Sequence, residues 1–421
     1  MRKQMSACTL RGGLTWRAVS GVTGLLLVGV AAAPAQAESI RDKQWHLSAM
    51  KAEGMWQTST GKGVTVAVID TGVDDDLPDL RGRVLAGRDQ APKSPGDEHT
   101  DYDGHGTTMA LLIAGTGEGN GGNGSFGLAP GARILPIRVP EVGWEANQRT
   151  KEFNETVSGA IRYAADSGAQ VISISLRTIK GSEQLTSAVK YALDKGSLVF
   201  AGAGNNGTSR VEYPAGTQGV VAVGAVGKNL RKTKESQYGL QVDIAAPGDE
   251  TYTACPNGNG TCKGHGTSDA TALASASAAL IWSKHPDWTN NQVLRVMLNT
   301  IGAPTDGAKR NDSIGYGIVR PRVALQNPGD PGPADEYPLP DLKQATSTPP
   351  TPASTPGSTT PDKDQPAAAA PAATEGDGGG TSTTTKVAAG VGAAALIGGA
   401  LAALAVRKRR AAAAARVTER P

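Results

Sequence analysis

The sequence predicts an α/β fold with a mainly parallel central sheet, and two patterns support this prediction. Between residues 45 and 327, short continuous runs rich in β-branched residues recur, as is typical of strands that are buried on both faces. These runs are GVTVAVIDT, RILPIRV, QVISISL, SLVFAGAG, VVAVGAV and VDIAAPG. Helical patterns separate them, and strands that alternate with helices favour a parallel sheet joined by right-handed crossovers. In such a sheet we expect a functional site at the carboxyl ends of the strands.

Two of the helical stretches carry specific signatures. KEFNETVSGAIRYAADSG places Phe153, Val157, Ile161 and Ala164 on one face, as in an amphipathic helix. TNNQVLRVML opens with Thr289 and Gln292, whose spacing is that of a capping box. We therefore expect a helix over each stretch.

The composition argues against a nucleic-acid-binding protein. The 421 residues carry a net charge of only +3, and their basic residues are scattered apart from one C-terminal run. Charged residues make up 19% and aromatic residues 4%, whereas 55 glycines predict frequent turns and close packing of small residues. We expect no nucleic-acid partner and either one large domain or two small ones.

Residues 1–37 have the pattern of a secretory signal peptide. Arg2, Lys3, Arg11 and Arg17 precede the apolar run GVTGLLLVGVAAA, and AQA then forms a small-x-small cleavage site. The alternative is an uncleaved anchor. Export would place the mature chain in an oxidising environment.

The C-terminal quarter predicts a tethered membrane anchor. Residues 328–386 form a linker rich in Pro, Thr and Ala, which cannot bury a core and is expected to be disordered. Residues 387–406 are uncharged and have about the ~20 residues that a bilayer span requires. The basic tail 407–421 opens with four positive residues, which favours a cytoplasmic C-terminus. The sequence therefore predicts a single-pass protein of the cell membrane with an extracellular main domain. The alternative for 387–406 is a soluble Ala-rich helix.

Two cysteines remain once the signal peptide, with Cys8, is removed. Cys255 and Cys262 lie close together in a Gly-rich stretch, and an even pair in an exported chain favours a disulfide. Two free thiols or weak metal ligands are the alternatives. A disulfide here would fix the entry to the segment GHGTSDA, which follows directly.

Three polar side chains lie at predicted element ends in the order Asp, His, Ser. Asp70 ends the first strand, His105 opens an apolar helix, and Ser268 opens another helix after Gly264 and Gly266. This set fits an acyl-transfer triad, in which histidine takes the serine proton and aspartate orients the imidazole. Asn205, at the end of the run VFAGAGN, is suited to donate to the oxyanion beside the backbone N–H of Ser268.

The alternatives for these residues are structural. Asp70 fits a turn-capping carboxylate, Ser268 a helix N-cap, and Asn205 an Asn-Gly turn. The second GHGT segment carries His265, three residues before Ser268. We interpret His105 as the base, and His265 as a structural residue or a substrate contact.

The segments VAVIDTGVD, DGHGTTMA, ISISL, AGAGNNG and GTSDATALASASAAL resemble the successive signatures of the subtilases, the subtilisin-like serine proteases. The resemblance implies a subtilisin-like three-layer fold over residues 61–327 and an endopeptidase acting on protein or peptide substrates. Asp70, His105 and Ser268 match the family's triad, and Asn205 matches its oxyanion donor. A substrate-binding role is implied for Ser175, Leu176, Arg177, Gly202, Ala203 and Gly204.

The whole layout further resembles the mycosins, the membrane-anchored subtilases of actinobacterial type VII secretion. The resemblance rests on the signal peptide, the lead-in QWHL…GMW, the Pro-rich linker and the C-terminal span. It implies membrane components of that secretion system as partners.

Residues 38–60 are too short for the inhibitory pro-domain that secreted subtilisins usually carry. We interpret them as an N-terminal extension that packs on the catalytic domain through Trp45, Leu47, Met50 and Trp56, which recur at roughly helical spacing.

Three positions depart from the subtilase pattern. Asp269 and Ala272 stand where the family usually has Met and Pro, and Arg177 replaces a glycine after the substrate-binding strand. A negative charge at Asp269 would raise the pKa of His105 or slow acylation, and Arg177 would attract acidic residues. These departures motivate a rival interpretation, in which a weakly active or inactive subtilase acts as a scaffold of a secretion complex.

No cofactor is required for this chemistry, and we predict no metal ligands. Subtilases often bind structural calcium, and two acidic clusters are present, one at Asp74 to Asp79 and one at Asp97 to Asp103. Their spacing matches no metal loop, so we interpret both as solvated loops.

Overall fold

A computed structural model describes residues 39–140 and 147–342 of the chain. The predicted signal peptide, residues 343–386 of the predicted linker, the predicted span and the tail lie outside the described residues. Within the described part, none of the helices is both long and apolar enough to cross a membrane.

The strands form one large sheet and one hairpin. Their bounds are β1 (Thr65–Asp70), β2 (Arg88–Asp89), β3 (Arg133–Arg138), β4 (Val171–Ile174), β5 (Leu198–Gly202), β6 (Val220–Val226), β7 (Ile244–Pro247), β8 (Thr251–Ala254) and β9 (Thr261–Gly264). The sheet has seven strands in the order β2-β3-β1-β4-β5-β6-β7, and all its pairings are parallel. Strands β8 and β9 pair with each other in antiparallel fashion. The predicted mainly parallel sheet is confirmed.

Helices cover both faces of the sheet. Their bounds are α1 (Ile40–Lys43), α2 (Trp45–Met50), α3 (Ala52–Trp56), α4 (His105–Ala114), α5 (Gly119–Gly122), α6 (Asn147–Asp166), α7 (Glu183–Asp194), α8 (Thr267–Lys284), α9 (Asn290–Asn299) and α10 (Pro321–Gln326), with a 3₁₀ turn at Pro78–Leu80. Helices α6 and α7 share one apolar core with the sheet, and α4, α8 and α9 share the other. The result is a three-layer α/β architecture.

The helix signatures identified in the sequence have the expected roles. Phe153, Val157, Ile161 and Ala164 are fully buried between α6 and the sheet. Thr289 forms a capping box with Gln292 at the start of α9.

The order of the strands determines where a site can form. From β1 the chain continues through α4 on one face, and from β4 it continues through α7 on the other. Strands β1 and β4 are neighbours in the sheet. Connections that leave adjacent parallel strands toward opposite faces open a crevice at the carboxyl ends of those strands. Asp70 ends β1 and Ser175 directly follows β4, so both lie at this crevice.

The N-terminal extension packs on the domain, as predicted. Leu47, Met50 and Met55 join the same core as α4 and α8. The fully buried Gln44 donates from Nε2 to Phe126 O at 2.7 Å and to Tyr252 O at 3.0 Å. These long-range bonds tie the extension to the loop before β3 and to the β8–β9 hairpin.

The linker was predicted to begin at residue 328, but the structure places residues 328–342 against the domain. Leu339 is 1% exposed and belongs to the core that contains α8 and α9. The Tyr337 hydroxyl donates to Gly219 O at 3.0 Å, and Gly219 N donates to Asp341 Oδ2 at 2.6 Å. The Pro- and Gly-rich composition concealed these contacts, because two apolar side chains and one carboxylate are enough to hold an extended segment. We call residues 328–342 the C-terminal strap.

Candidate active site

Asp70 and His105 meet at the carboxyl end of β1. Asp70 is fully buried, and its Oδ1 lies 2.7 Å from Nδ1 of His105. The same oxygen accepts a hydrogen bond from Thr71 N at 2.8 Å, which fixes the carboxylate. An ionised carboxylate only accepts hydrogen bonds, so Nδ1 of His105 carries the proton in this pair. In the neutral imidazole, the Nε2 atom of His105 is then free to take a proton from another group.

A second carboxylate, Asp101, holds the turn that carries His105. Its Oδ1 accepts from Gly104 N and from the Thr71 hydroxyl, each at 2.8 Å. Its Oδ2 accepts from Thr107 N at 2.8 Å and from the Thr107 hydroxyl at 2.6 Å. Asp101 therefore ties the segment after Asp70 to the start of α4. The prediction of a solvated loop was wrong at this position, because two backbone N–H groups and two threonine hydroxyls occupy the carboxylate oxygens.

Ser268 lies in the first turn of α8 and contacts the end of β4. Its hydroxyl is within 3.4 Å of Ser175 O, and the Ser175 hydroxyl donates to Ser268 O at 3.2 Å. Because β4 adjoins β1, these contacts bring Ser268 to the crevice that holds Asp70 and His105. Among the described residues, the Ser268 hydroxyl has no hydrogen bond to His105 itself. Catalytic hydrogen bonds are often long in proteins without substrate and tighten in the complex.

Asn205 is oriented by Thr267. Its Oδ1 accepts from Thr267 N at 2.8 Å and from the Thr267 hydroxyl at 2.9 Å. The carbonyl end of the amide is thereby occupied, and the Nδ2 end is available as a donor. Ser268 N is also available, because the first N–H groups of a helix have no partner within the helix. Two donors beside the Ser268 hydroxyl are suited to bind an oxyanion.

Gly266 is required for this arrangement on two grounds. Its φ is +115°, a conformation that side chains rarely adopt. A Cβ at this position would also lie 3.0 Å from Asn205 Nδ2. A larger residue would therefore displace the amide.

The residues predicted to bind substrate lie in two segments at the carboxyl edge of the sheet. Ser175, Leu176 and Arg177 follow β4, and Gly202, Ala203 and Gly204 end β5 or follow it. Strands β4 and β5 are adjacent and parallel, so the two segments leave the sheet side by side. The first segment is partly exposed, whereas Gly202, Ala203 and Gly204 are buried.

Arg177 does not present a free charge to the crevice, contrary to the sequence-based expectation. Its Nη1 atom lies 2.9 Å from both carboxylate oxygens of Glu212, and Glu212 is 1% exposed. Asn206 Nδ2 also donates to Glu212 Oε1 at 3.0 Å. The buried carboxylate explains the position of the arginine. Sequence analysis missed Glu212 because no motif marks a partner that is 35 residues away.

The charges around His105 raise its pKa to about 9. Partial burial of the ring acts in the opposite direction and lowers the pKa, but the Asp70 carboxylate and its hydrogen bond outweigh it. Asp269 and Asp103 add smaller contributions in the same direction as Asp70. The expectation that Asp269 acts on His105 therefore agrees with the electrostatics of the site.

His265 lies on the rim of the site. Its side chain is 70% exposed, and its Nδ1 lies 3.7 Å from Glu235 Oε1. His265 is therefore not a buried structural residue. It also does not act as the partner of Asp70, because His105 occupies that position. The neighbouring cysteines are joined: the Cys255–Cys262 disulfide crosses the β8–β9 hairpin, which leads directly into the Ser268 segment.

Within the described residues, no group of three or more His, Cys, Asp or Glu side chains is arranged to hold a metal ion. Asp70, Asp101 and Asp269 are paired with backbone N–H groups, hydroxyls or the His105 ring.

Comparison with known proteins agrees with this geometry. The model of the subtilase family matches residues 61–317. Thermitase from Thermoactinomyces vulgaris is 36% identical over 242 residues, which are 58% of this chain and 83% of thermitase. The structure of MycP1 from Mycobacterium smegmatis has a TM-score of 0.61 at 28% identity and covers 70% of this chain and 87% of MycP1. The MycP3 protease of the type VII (ESX-3) secretion system has a TM-score of 0.60 at 34% identity, covering 66% of this chain and 87% of that one.

The family match covers more than half of the chain, and the fold and the order of Asp70, His105 and Ser268 are those expected from the sequence signatures. The chain belongs to the subtilase family of serine proteases.

Proposed function

We propose that this subtilase hydrolyses peptide bonds through an acyl-enzyme formed on Ser268. The observation that carries the proposal is the bond of 2.7 Å between His105 Nδ1 and the buried Asp70, next to the helix start that holds Ser268. His105 Nε2 takes the Ser268 proton as the hydroxyl oxygen attacks the scissile carbonyl. Asn205 Nδ2 and Ser268 N–H donate to the developing oxyanion. His105 then gives its proton to the leaving amine, and water completes the second half of the reaction.

The proposed location is the outer face of the cell membrane, with the predicted span at 387–406 as the anchor. The sequence pattern supports this part of the proposal, and the chain is also similar to MycP1 and MycP3. Those proteins are described as components of type VII secretion systems. By this likeness we propose that the chain works beside membrane components of such a system on exported protein substrates.

The test is covalent labelling of the purified chain with a fluorophosphonate probe, which reacts with an activated serine. Wild type should label, whereas Ser268→Ala and His105→Ala should not. Ser209→Ala is a matched control, because Ser209 is exposed and its replacement should leave labelling intact. A folded wild-type chain that does not label at any pH would contradict the proposal.

A scaffold function is the second candidate, and the carboxylate beside the nucleophile, at Asp269, favours it. Complementation distinguishes the two functions. In a strain that lacks the chain, Ser268→Ala should fail to restore secretion if hydrolysis is required. Restored secretion by Ser268→Ala would support the scaffold.

A further inference from the structure

The residue that follows the proposed nucleophile is a buried carboxylate. Asp269 is 3% exposed and lies in the first turn of α8. It accepts a hydrogen bond from the Thr251 hydroxyl of β8. A Cβ on Gly264 of β9 would lie 2.4 Å from Asp269 Oδ2, so the hairpin closes tightly over the carboxylate. The donor and the helix N-terminus favour a negative charge in this pocket, whereas burial opposes it and raises the pKa of Asp269.

Carboxylates from three separate parts of the chain act electrostatically on His105. Asp70 ends β1 and contacts the ring, Asp103 lies in the loop before α4, and Asp269 lies on α8. Other titratable groups at this edge include Asp101, which holds the turn that carries His105, and His265 and Glu235, which face each other on the rim. His265 also interacts favourably with the Asp269 carboxylate.

We propose that Asp269, the buried carboxylate that follows Ser268 on α8, is a positioning residue that sets the pH range over which His105 acts as the base. The inference depends on the proposed role of His105 as the base. The imidazolium has no free lone pair on Nε2, so it cannot take the proton of Ser268. It must first lose a proton to solvent, and a nearby buried anion makes this loss less favourable.

Burial is the largest influence on the Asp269 carboxyl and raises its pKa. The hydrogen bond from Thr251 and the charges of His105 and His265 act in the opposite direction. Asp269 and His105 therefore favour each other's charged forms. Neutralising Asp269 therefore lowers the pKa of His105 and makes the free base available at lower pH. A second effect, weaker repulsion of the oxyanion, does not depend on the His105 titration and changes only the plateau rate.

The experiment measures the fluorophosphonate labelling rate of the full chain from pH 5 to pH 10.5. Wild type should show a midpoint near the His105 pKa of about 9. Asp269→Asn, which keeps the shape but not the charge, should lower the midpoint by about one unit. A shift of that size raises the labelling rate at pH 7 by about tenfold. Asp103→Asn is the matched control, since it removes the same charge from an exposed position and should shift the midpoint less.

A second variant covers the case in which Asp269→Asn does not fold. Asp269→Ala removes the same charge without burying an amide and should shift the labelling midpoint in the same direction. A folded Asp269→Asn with an unmoved midpoint would overturn the inference, even if its melting temperature fell. An unmoved midpoint in a folded Asp269→Ala would do so where Asp269→Asn is unfolded. Absence of labelling in wild type at every pH would instead overturn the proposed function and this inference together.

Discussion

The Arg177 guanidinium and the Glu212 carboxylate join the segments that follow β4 and β5. Arg177 belongs to the segment after β4, and its Nη1 lies 2.9 Å from each Glu212 oxygen. Glu212 packs against the segment after β5, where a Cβ on Gly204 would be 2.3 Å from its Oε2. The pair therefore fixes the spacing of the two segments that are predicted to bind substrate.

Arg177→Ala and Glu212→Gln should lower the free energy of unfolding by different amounts. Arg177 is 39% exposed, so water can solvate it when Glu212→Gln removes the negative charge. Arg177→Ala instead leaves a carboxylate that is 1% exposed without its cation. We expect Arg177→Ala to lower the free energy of unfolding by about 2 kcal/mol, below the ~3–5 kcal/mol of a fully buried pair. Urea unfolding of both single variants and the double variant measures this. Equal losses in the two single variants would contradict the asymmetry.

Loss of the Asn205 amide should affect turnover more than binding. In the proposed mechanism, its Nδ2 donates to an oxyanion that exists only in the transition state and the intermediate. We expect Asn205→Ala to lower kcat by roughly 10²–10³, the range found when the equivalent donor is removed from a subtilisin, with little change in KM. Thr267→Val, which frees the amide from one of its two bonds, should cause a smaller loss in kcat. Steady-state kinetics on a peptide substrate separates kcat from KM, and a change in KM alone would exclude the oxyanion role.

The sequence predicted the sheet, the position of the site and four of its residues, because local signals encode them. Asp70, His105, Asn205 and Ser268 each adjoin a strand or helix end within a short recognisable segment. The disulfide was favoured for the same reason, since only six residues separate the two cysteines. Element ends at neighbouring parallel strands meet at one edge, so local signals were enough to place the site.

The parts that sequence analysis missed depend on contacts across the chain. Glu212 accepts hydrogen bonds from Arg177, and Asp101 accepts one from Thr71. Residues 337–341 contact Gly219. None of these pairings follows from periodicity or composition. The acidic cluster around Asp101 and the Pro-rich strap had the composition of solvated segments, and only the tertiary structure shows the partners that order them.

Acid should weaken the attachment of the N-terminal extension through His46. This side chain is fully buried on α2, and neither ring nitrogen has a hydrogen-bond partner among the described residues. Burial, together with the Arg41 charge, lowers the pKa of His46 to about 3. In the unfolded chain the His46 imidazole takes up a proton near pH 6.5, whereas in the folded chain it stays neutral. The free energy of unfolding is therefore fully retained above pH 6.5 and falls as the pH drops toward 3. The slope from this group is about 1.4 kcal/mol per pH unit.

His46→Leu tests this directly. An apolar side chain of similar size needs no hydrogen-bond partner in the same pocket. We expect its melting temperature to fall less than that of wild type between pH 7 and pH 4. His99→Leu is the control, because His99 is partly exposed and close to Asp75 and Glu98. Parallel pH profiles for wild type and His46→Leu would show that the buried histidine does not control acid stability.

The C-terminal strap should stabilise the catalytic domain although it resembles a linker. A chain ending at Asn327 loses the buried Leu339, the Tyr337 bond to Gly219 O and the Asp341 bond to Gly219 N. Full burial of one Leu side chain contributes about 1.5–3 kcal/mol, so we expect a clear drop in melting temperature relative to a chain ending at Leu342.

A chain ending at Pro350 should melt like the one ending at Leu342 if the stabilising contacts lie within 328–342. Gly219 precedes β6, at the edge of the sheet opposite the crevice, so labelling of Ser268 should survive the truncation in molecules that remain folded. Equal melting temperatures for the chains ending at Asn327 and Leu342 would show that the strap does not stabilise the domain.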